Sequence, residues 1–453
     1  MLNRIAAIVG VIAMASGIAG SSRAETLLDA LASAYTNNPS LLAERATVRV
    51  VDEKLPQALS NWRPSVIMDA DAGGSAVQSN TAINKRQHRD PRSLELTVTQ
   101  PLFRGGRTVA TTREAENTVQ AARARLTGTE QTVLLDAVTA YTNVLRDQAV
   151  LELNINNEHV LARQLDATRD RFGVGEITRT DVNQSESRWA TATAARIRAE
   201  GNLISSRANY RKIIGDTPRD LQPANLPQAL PVSEEEAMRL ALANDPDILA
   251  AEYDTLASTD NADSVQGELL PSVNLQGRAN TSLEASGQGT RAESYEALVT
   301  LSVPLYEKGA VYSRLREAKQ RTGQRRAQVD IARRNSIEEV TRSWEALQTA
   351  RAQIVAFQAA IQAAAVALEG VQREAEVGSR TLLDVLDAEQ ELLDARVSLV
   401  GAQRDETVAA YRLKAAAGQL TARLLGLAVE LYDPSVHYDE VRGKWIGWGS
   451  SGE

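Results

Sequence analysis

The stretch VGSRTLLDVLDAEQELLDAR, residues 377–396, combines a Val-Gly turn with a helix whose acidic residues share one side. The acids are spaced three, four and three residues apart, which places them on one helix face; they are Asp384, Asp387, Glu391 and Asp394. Like charges one turn apart repel by roughly 0.2–0.5 kcal/mol per pair on an isolated helix. Spacing alone leaves two interpretations open, a solvated helix face and a ring of acids around a symmetry axis.

A second Val-Gly turn indicates an internal repeat. Val174-Gly175 precedes Asp181 as Val377-Gly378 precedes Asp384, at an offset of 203 residues (377 − 174). Likewise, the Asn-Pro step at 38-39 recurs as an Asp-Pro step at 245-246, at an offset of 207 residues (246 − 39). The chain is therefore predicted to contain two copies of one unit, 25–214 and 233–417, joined by a Pro-rich linker at 215–232 and followed by a tail at 418–453.

Each copy is predicted to contain a leading helix, a β-hairpin, a long helix and a return helix. In chain order these are 25–59, 65–100, 107–171 and 176–214, and then 233–268, 272–303, 310–375 and 379–417. The Asn-Pro and Asp-Pro steps should bend or break the leading helices, because proline removes a helical hydrogen bond. At 1.5 Å per residue, each long helix should measure about 100 Å, far more than a globular helix. Aromatic residues make up only 4% of the chain, which favours closely packed, Ala-rich helices over a compact core.

The strand segments alternate apolar and polar residues. Leu94, Leu96 and Val98 point to one side of their strand, and the residues between them to the other. Such strands suit a membrane barrel with a wet lumen, and equally a half-buried antiparallel sheet. Four strands cannot close a barrel, since closure takes about eight, so a membrane-spanning sheet would require an oligomer. The connections at 73–92 and 282–293 are predicted to be polar loops.

The composition excludes several classes of function. A net charge of −8 argues against a nucleic-acid partner, because phosphate binding is driven by Lys and Arg. The absence of cysteine excludes disulfides, thiolate nucleophiles and Cys-bearing metal sites. His88, His159 and His437 are isolated in the sequence, and no catalytic motif or phosphate-binding loop is found. We therefore expect neither enzymatic activity nor a cofactor.

The N-terminus is typical of an export signal. Arg4 precedes an apolar run, and Ser22-Arg23-Ala24 forms a small-x-small cleavage site, so residues 1–24 are predicted to be a signal peptide. Beyond residue 24 no run approaches eighteen consecutive apolar residues, so no transmembrane helix is expected. If the mature protein enters a membrane, it should do so as a barrel.

Residues 377–388, VGSRTLLDVLDA, resemble the turn-and-helix signature of the TolC family of outer-membrane efflux channels, and the likeness covers essentially the whole mature chain. The resemblance implies a mixed fold, a long α-helical coiled-coil-like barrel plus four transmembrane β-strands per subunit. A homotrimer would then form a 12-stranded β-barrel. It also implies a location in the outer membrane of a Gram-negative bacterium, extending into the periplasm. The protein would be a passive exit duct for efflux or type I secretion, powered by an inner-membrane pump.

The resemblance also implies roles for individual residues. Asp384 and Asp387 would form a gate and selectivity ring, and Arg380, Thr180 and Asp181 an entrance latch. The tips that dock a periplasmic adaptor (membrane fusion) protein would comprise Gly173, Val174, Gly175, Val377, Gly378 and Ser379. Ala375 departs from the family pattern, because well-known members carry a latch tyrosine there, so the closed state should be held less tightly.

One observation from the residues supports the ring independently. The first-copy equivalents of the four acids are Asp181, Gln184, Arg188 and Thr191, so the acidic stripe is confined to the second copy. Two other functions stay open, a trimeric coiled-coil structural protein or adhesin and a general diffusion porin. The sequence does not identify the cargo.

Overall fold

The computed structural model describes residues 24–78, 86–447 and 449, and the predicted signal peptide lies outside them except for Ala24. The helices are α1 (Leu27–Asn37), α2 (Pro39–Asp52), α3 (Lys54–Leu59), α4 (Arg107–Gly173), α5 (Arg179–Ile214), α6 (Glu234–Asn244), α7 (Pro246–Gln266), α8 (Ala310–Glu376), α9 (Leu382–Ala416), α10 (Ala422–Leu425) and α11 (Ser435–Arg442). The strands are β1 (Ser65–Ala72), β2 (Ser75–Gln78), β3 (Arg86–Arg89), β4 (Arg92–Arg104), β5 (Ser272–Leu283) and β6 (Arg291–Ser302).

The leading helix of each half breaks at its proline step. Asn38 separates α1 from α2, and its side chain accepts a hydrogen bond from the backbone N–H of Ser40 at 2.9 Å. Asp245 caps α7 in the same way by accepting from Asp247 N–H at 2.8 Å. Proline is tolerated at the first helical position because its missing N–H would have no partner there. A further interruption at Glu53, which the pattern did not predict, separates α2 from α3.

The two long helices, α4 and α8, have 67 residues each and are therefore about 100 Å long. The return helix α5 packs along one part of α4, and α1, α2 and α3 pack along another part. In the second half, α9, α6 and α7 surround α8 similarly. Small buried side chains such as Ala137 and Ala140 allow these close approaches. Along α8, Val340 and Leu347 are buried, whereas Ile337 is exposed.

Four strands form one antiparallel sheet in the order β1-β4-β5-β6. Val66 lies opposite Val98, and Ala279 lies opposite both Leu96 and Tyr295, so these side chains share one face. That face is apolar; it is largely exposed on β1, β4 and β6 and half-buried along most of β5. The other face is polar and contains an ion pair between Arg278 and Glu95, with 2.9 Å between the nitrogen and oxygen. The sheet thus has one apolar face and one polar face.

The connection at 73–92 differs from the prediction of a polar loop. Its ends form a small antiparallel sheet in which β2 pairs with β3 and Ser75 lies opposite Arg89. The prediction was wrong because the segment lacks the apolar alternation from which strands are identified, while backbone pairing requires only that the two ends run side by side. Residues 79–85 lie outside the described part of the chain.

The expectation that no helix could span a membrane is also wrong on length and composition. One described helix, α8, contains an 18-residue window apolar enough for a membrane span, of which only 6% is buried. Gln358 and Gln362 interrupt the apolar residues, so the sequence has no unbroken run although the window is apolar on average. This window gives α8 a long exposed apolar surface.

Candidate functional site at the tips of the helical hairpins

The turns after α4 and α8 have the same backbone geometry. Gly175 and Gly378 adopt left-handed conformations with φ of +83° and +80°. The backbone N–H that follows each glycine donates back to the helix, Glu176 to Arg171 O at 3.0 Å and Ser379 to Glu374 O at 2.9 Å. This pattern is a Schellman motif, which glycine favours because it lacks a Cβ. The Val-Gly steps therefore end both long helices in one defined conformation.

Each return helix begins with a capping box built from threonine and aspartate. Asp384 accepts hydrogen bonds from the backbone N–H of Thr381 at 2.9 Å and from its hydroxyl at 2.7 Å. Thr381 Oγ1 in turn accepts from Asp384 N–H at 3.3 Å. Thr178 and Asp181 repeat this arrangement at the start of α5 with the same three distances. These hydrogen bonds satisfy helix N–H groups that otherwise have no partner.

The capping hydrogen bonds lower the pKa values of both aspartates, Asp384 and Asp181. Thr381 lowers the pKa of Asp384 below the usual 3.8, first through its hydroxyl and then through its backbone N–H. Thr178 lowers the pKa of Asp181 through the same two groups. Both carboxylates are therefore ionised at neutral pH and held at the helix N-terminus, where a negative charge is favourable.

An ion pair spans each turn, and its polarity is reversed between the halves. Arg171 at the end of α4 contacts Glu176 at 3.1 Å, whereas Glu374 at the end of α8 contacts Arg380 at 2.9 Å. Arg171 and Glu374 are equivalent under the 203-residue offset (374 − 171). The hydrogen bond that Arg380 Nε donates to Glu374 raises the pKa of Arg380. The two tips thus share a backbone but present opposite charge patterns.

The predicted ring acids lie in different environments. Asp387, one turn beyond Asp384 on α9, forms an ion pair with Arg188 of α5. Farther along the same face, Asp394 accepts a hydrogen bond from Gln390 at 2.8 Å. The acidic face of the second half is therefore partly neutralised by a cation from the first half.

A groove of about 370 Å³ lies between α4, α5 and α9 beside this ion pair. The polar side chains in its lining include Asn154, Arg188, Arg198, Glu389 and Asp394. Burial raises the pKa of Glu389, while a hydrogen bond from Gln372 opposes that rise. Its Oε2 atom is buried without a hydrogen-bond partner among the described residues. Within residues 24–78, 86–447 and 449, no group of three or more His, Cys, Asp or Glu side chains is placed to hold a metal ion.

The predicted tip residues form two clusters, one at each turn. Of the predicted latch residues, Thr180 and Asp181 lie at the first tip and Arg380 lies at the second. Thr180 is exposed in the first turn of α5, and Arg380 and Asp181 each contact a residue of their own tip. The apolar side chains of Val174 and Val377 project from the turns and are 74% and 80% exposed. Beside each turn, Gly173 ends α4, and Ser379 Oγ donates to Glu374 O at 2.9 Å.

Three residues with specific contacts at the site were given no role from the sequence. In the sequence, Arg188 was noted only as the first-copy equivalent of Glu391, yet in the structure it forms an ion pair with Asp387 on the acidic face. Glu374 and Glu176 complete the ion pairs across the turns. The 203-residue offset holds a usable signal, since it aligns Arg171 with Glu374 and so exposes the reversal of charge.

A family model described as outer membrane efflux protein matches this chain twice, at residues 30–216 and 237–419. Each match covers one long helix, one tip and one return helix. The two matched segments correspond to the two halves of the chain, and residues 217–236 and 420–453 fall outside them.

Individual proteins show the same likeness. The chain is 36% identical over 424 residues to the outer membrane efflux protein BepC of Brucella suis, which covers 93% of this chain and 92% of BepC. It is 27% identical over 440 residues to the outer membrane protein TolC of Escherichia coli, covering 92% and 87%. Among solved structures, the CmeC outer membrane channel of Campylobacter jejuni has the same fold, with a TM-score of 0.79, 16% identity, and 92% and 89% coverage.

Proposed function

The chain belongs to the outer membrane efflux protein family, and we propose that three copies of it form an exit duct from the periplasm through the outer membrane. The similarity to TolC that the sequence predicted is confirmed. The family and its named relatives place the protein in the outer membrane. The word efflux, in the descriptions of the family and of BepC, gives the direction of transport.

The sheet supports an oligomer because both of its edges are open. β1 and β6 each have one neighbour within the described residues, so each leaves a row of backbone N–H and C=O groups unpaired. In a lipid environment such groups must be satisfied, and the way to satisfy them is closure with other copies. Two copies would supply eight strands, and side chains would fill the interior of such a barrel. Three copies would supply twelve strands and leave an open lumen. The apolar face then contacts lipid and the polar face lines the duct.

The exposed apolar surface of α8 supports the same assembly. An apolar window of 18 residues that is only 6% buried would be costly in water. In a tube built from side-by-side helices, the equivalent helices of neighbouring copies cover such surfaces. At about 100 Å, the helices are long enough to extend from the outer membrane well into the periplasm.

The proposed gate is the acidic face at the lower end of this tube. Three copies would bring six carboxylates, from Asp384 and Asp387, around one axis. Their mutual repulsion would favour widening, and the ring would attract cations into the entrance. Arg380, Thr180 and Asp181 would form the latch through contacts between copies, in addition to the contacts that they make within their own tips.

The proposed adaptor contact is at the two tips. They consist of Gly173, Val174 and Gly175 in the first half and Val377, Gly378 and Ser379 in the second. The exposed valines offer apolar contact, and the reversed ion pairs offer a distinct charge pattern at each tip, so one partner could distinguish them. Docking of a periplasmic adaptor would untwist the helices and open the ring, with an inner-membrane pump supplying the energy. No nucleic acid, catalysis or cofactor is involved.

The observation that carries this proposal is a four-stranded sheet with one exposed apolar face and two edges open among the described residues, joined by short connections to 67-residue helices. Native mass spectrometry of the detergent-solubilised protein, followed by planar-bilayer recording, tests it. We expect three times the mass of the mature chain and discrete single-channel currents. A trimer that does not conduct would indicate the coiled-coil structural protein or adhesin. A conducting protein that does not bind an adaptor hairpin would indicate a diffusion porin.

A further inference from the structure

The tail after the second half forms an arm, residues 419–447, that follows the leading helices toward the sheet. Its backbone N–H at Tyr432 donates to the Tyr35 hydroxyl of α1 at 3.0 Å. Farther along, His437 Nδ1 lies 3.2 Å from Asp52 Oδ2 at the end of α2. The order of contacts along the arm therefore matches the order along α1 and α2, and the arm runs toward β1.

The arm is held by buried polar contacts in its middle. Asp52 is fully buried, and its second oxygen has no hydrogen-bond partner among the described residues. The Arg123 guanidinium of α4 lies over the ring of Tyr438 at 5.0 Å and donates to Pro434 O at 3.3 Å. These contacts attach the middle of the arm to α2 and α4.

The arm ends at the base of the sheet. Arg63, two residues before the first residue of β1, donates from Nη1 to Lys444 O at 2.7 Å. The same guanidinium lies 4.8 Å from the ring centroid of Trp445. Trp445 is 66% exposed, Ile446 is 91% exposed, and Trp62 is half-exposed at the same level. We call Trp62, Arg63, Lys444, Trp445 and Ile446 the sheet-base patch.

This patch lies next to the start of β1, through the contacts of Arg63 with Lys444 and Trp445. Val66 and Met68 of β1 are largely exposed on that face, immediately beyond Arg63. Tryptophan is enriched where membrane proteins cross from hydrocarbon to headgroups, and Lys and Arg at that level reach the lipid phosphates. Ile446 is 91% exposed, and its side chain would gain apolar contacts from acyl chains.

We propose that the C-terminal arm is a lipid anchor, in which Trp445 and Ile446 enter the periplasmic leaflet of the outer membrane and Arg63 and Lys444 bind phospholipid phosphates. A groove of about 420 Å³ beside the patch is lined by these two cations and by one acid, Glu53. Because the groove contains both signs of charge, it fits a zwitterionic headgroup better than a purely anionic one. The inference rests on the proposed function, since it requires the sheet to lie in a membrane.

The chain contains no cysteine, so single nitroxide labels can be placed without background. The full-length protein is reconstituted into phosphatidylcholine vesicles, and the collision of the label with oxygen and with a water-soluble nickel complex is measured by power-saturation EPR. The variants are Ile446→Cys at the patch, Val436→Cys on α11 of the same arm, and Val299→Cys on the apolar face of β6. All three positions are more than half exposed in the chain.

We expect the Ile446→Cys label to favour oxygen over nickel several-fold more than the Val436→Cys label, and the Val299→Cys label to favour oxygen most. If the Val299→Cys label reports lipid while the Ile446→Cys label is as accessible to nickel as the Val436→Cys label, the anchor is wrong and the membrane assignment of the sheet stands. If the Val299→Cys label is also fully accessible to nickel, the proposed membrane duct and the anchor both fail.

Discussion

Arg188 of α5 forms an ion pair with Asp387 of α9, and thereby joins the return helices of the two halves close to their tips. Both side chains are partly exposed, so the pair contributes at most about 1 kcal/mol to stability. Its larger effect is that the positive charge of Arg188 offsets the negative charge of Asp387. In the proposed ring, each copy would supply two carboxylates and one guanidinium that offsets one of them.

Replacing Arg188 by methionine should therefore make the duct more selective for cations. The substitution keeps a similar side-chain volume and leaves Asp387 without its cation, so an assembled ring would gain three unbalanced negative charges. We expect a several-fold increase in sensitivity to block by trivalent cations applied from the periplasmic side. Single-channel recording in planar bilayers measures both effects.

The matched control is Arg198→Met, which lies on the same helix and lines the same groove three turns away. Removing the Arg198 guanidinium changes the net charge of the chain by the same amount as Arg188→Met does, but it leaves the ion pair of Asp387 in place. If both variants shift selectivity by the same amount, total charge rather than the ion pair sets the selectivity.

Replacing Thr381 by valine should loosen the start of α9. The change keeps the β-branched shape and removes the hydroxyl that caps Asp384 N–H, at a cost of about 1 kcal/mol. Hydrogen exchange of the backbone N–H groups at 382–385 should become roughly fivefold faster, which is that free energy expressed as a rate. Thr381→Ser, which keeps the hydroxyl, should restore the protection. Equal exchange in all three proteins would show that the capping box contributes nothing.

The same capping box predicts how the tip responds to acid. Thr381 depresses the pKa of Asp384 below 3.8 in the folded state, so the carboxylate stabilises the tip above the unfolded value. This stabilisation is lost as the pH falls through the folded pKa. A nitroxide at Leu383→Cys should thus remain immobile from pH 8 to pH 5 and gain mobility only below 3.8. A mobility transition between pH 5 and 7 would contradict this assignment of the charge.

Gly378→Ala should destabilise the second tip, whereas Gly370→Ala should stabilise the helix before it. Gly378 has φ of +80°, where a Cβ costs about 1 kcal/mol, although no atom lies within 4 Å to clash with it. Gly370 lies inside α8 with open space around it, where alanine gains about 1 kcal/mol of helix propensity. Melting temperatures from circular dichroism should shift in opposite directions. Shifts of the same sign would show that the left-handed turn is not maintained.

Local chemistry explains which features the sequence predicted well. Proline steps and Val-Gly turns act through the backbone of the residues themselves, so the breaks at Asn38 and Asp245 and the ends of both long helices fall within two residues of their predicted positions. Repetition reinforced these signals, because each occurs twice.

Contacts between distant segments were not predictable in the same way. Arg188 and Asp387 are 199 residues apart, and their contact depends on how α5 and α9 pack rather than on any spacing. The pairing of β2 with β3 and the path of the arm also depend on tertiary context. The apolar surface of α8 was missed because the expectation considered only unbroken apolar runs, whereas exposure is a property of the fold.

The proposed acid ring is tested most directly by recording the ion selectivity of the double variant Asp384→Asn/Asp387→Asn in planar bilayers. Asparagine can still accept a capping hydrogen bond, so the tips should keep their shape while an assembled ring loses six negative charges. We predict that the variant forms channels as readily as the parent but loses most of its cation preference and its block by multivalent cations. Unchanged selectivity and block would contradict the account.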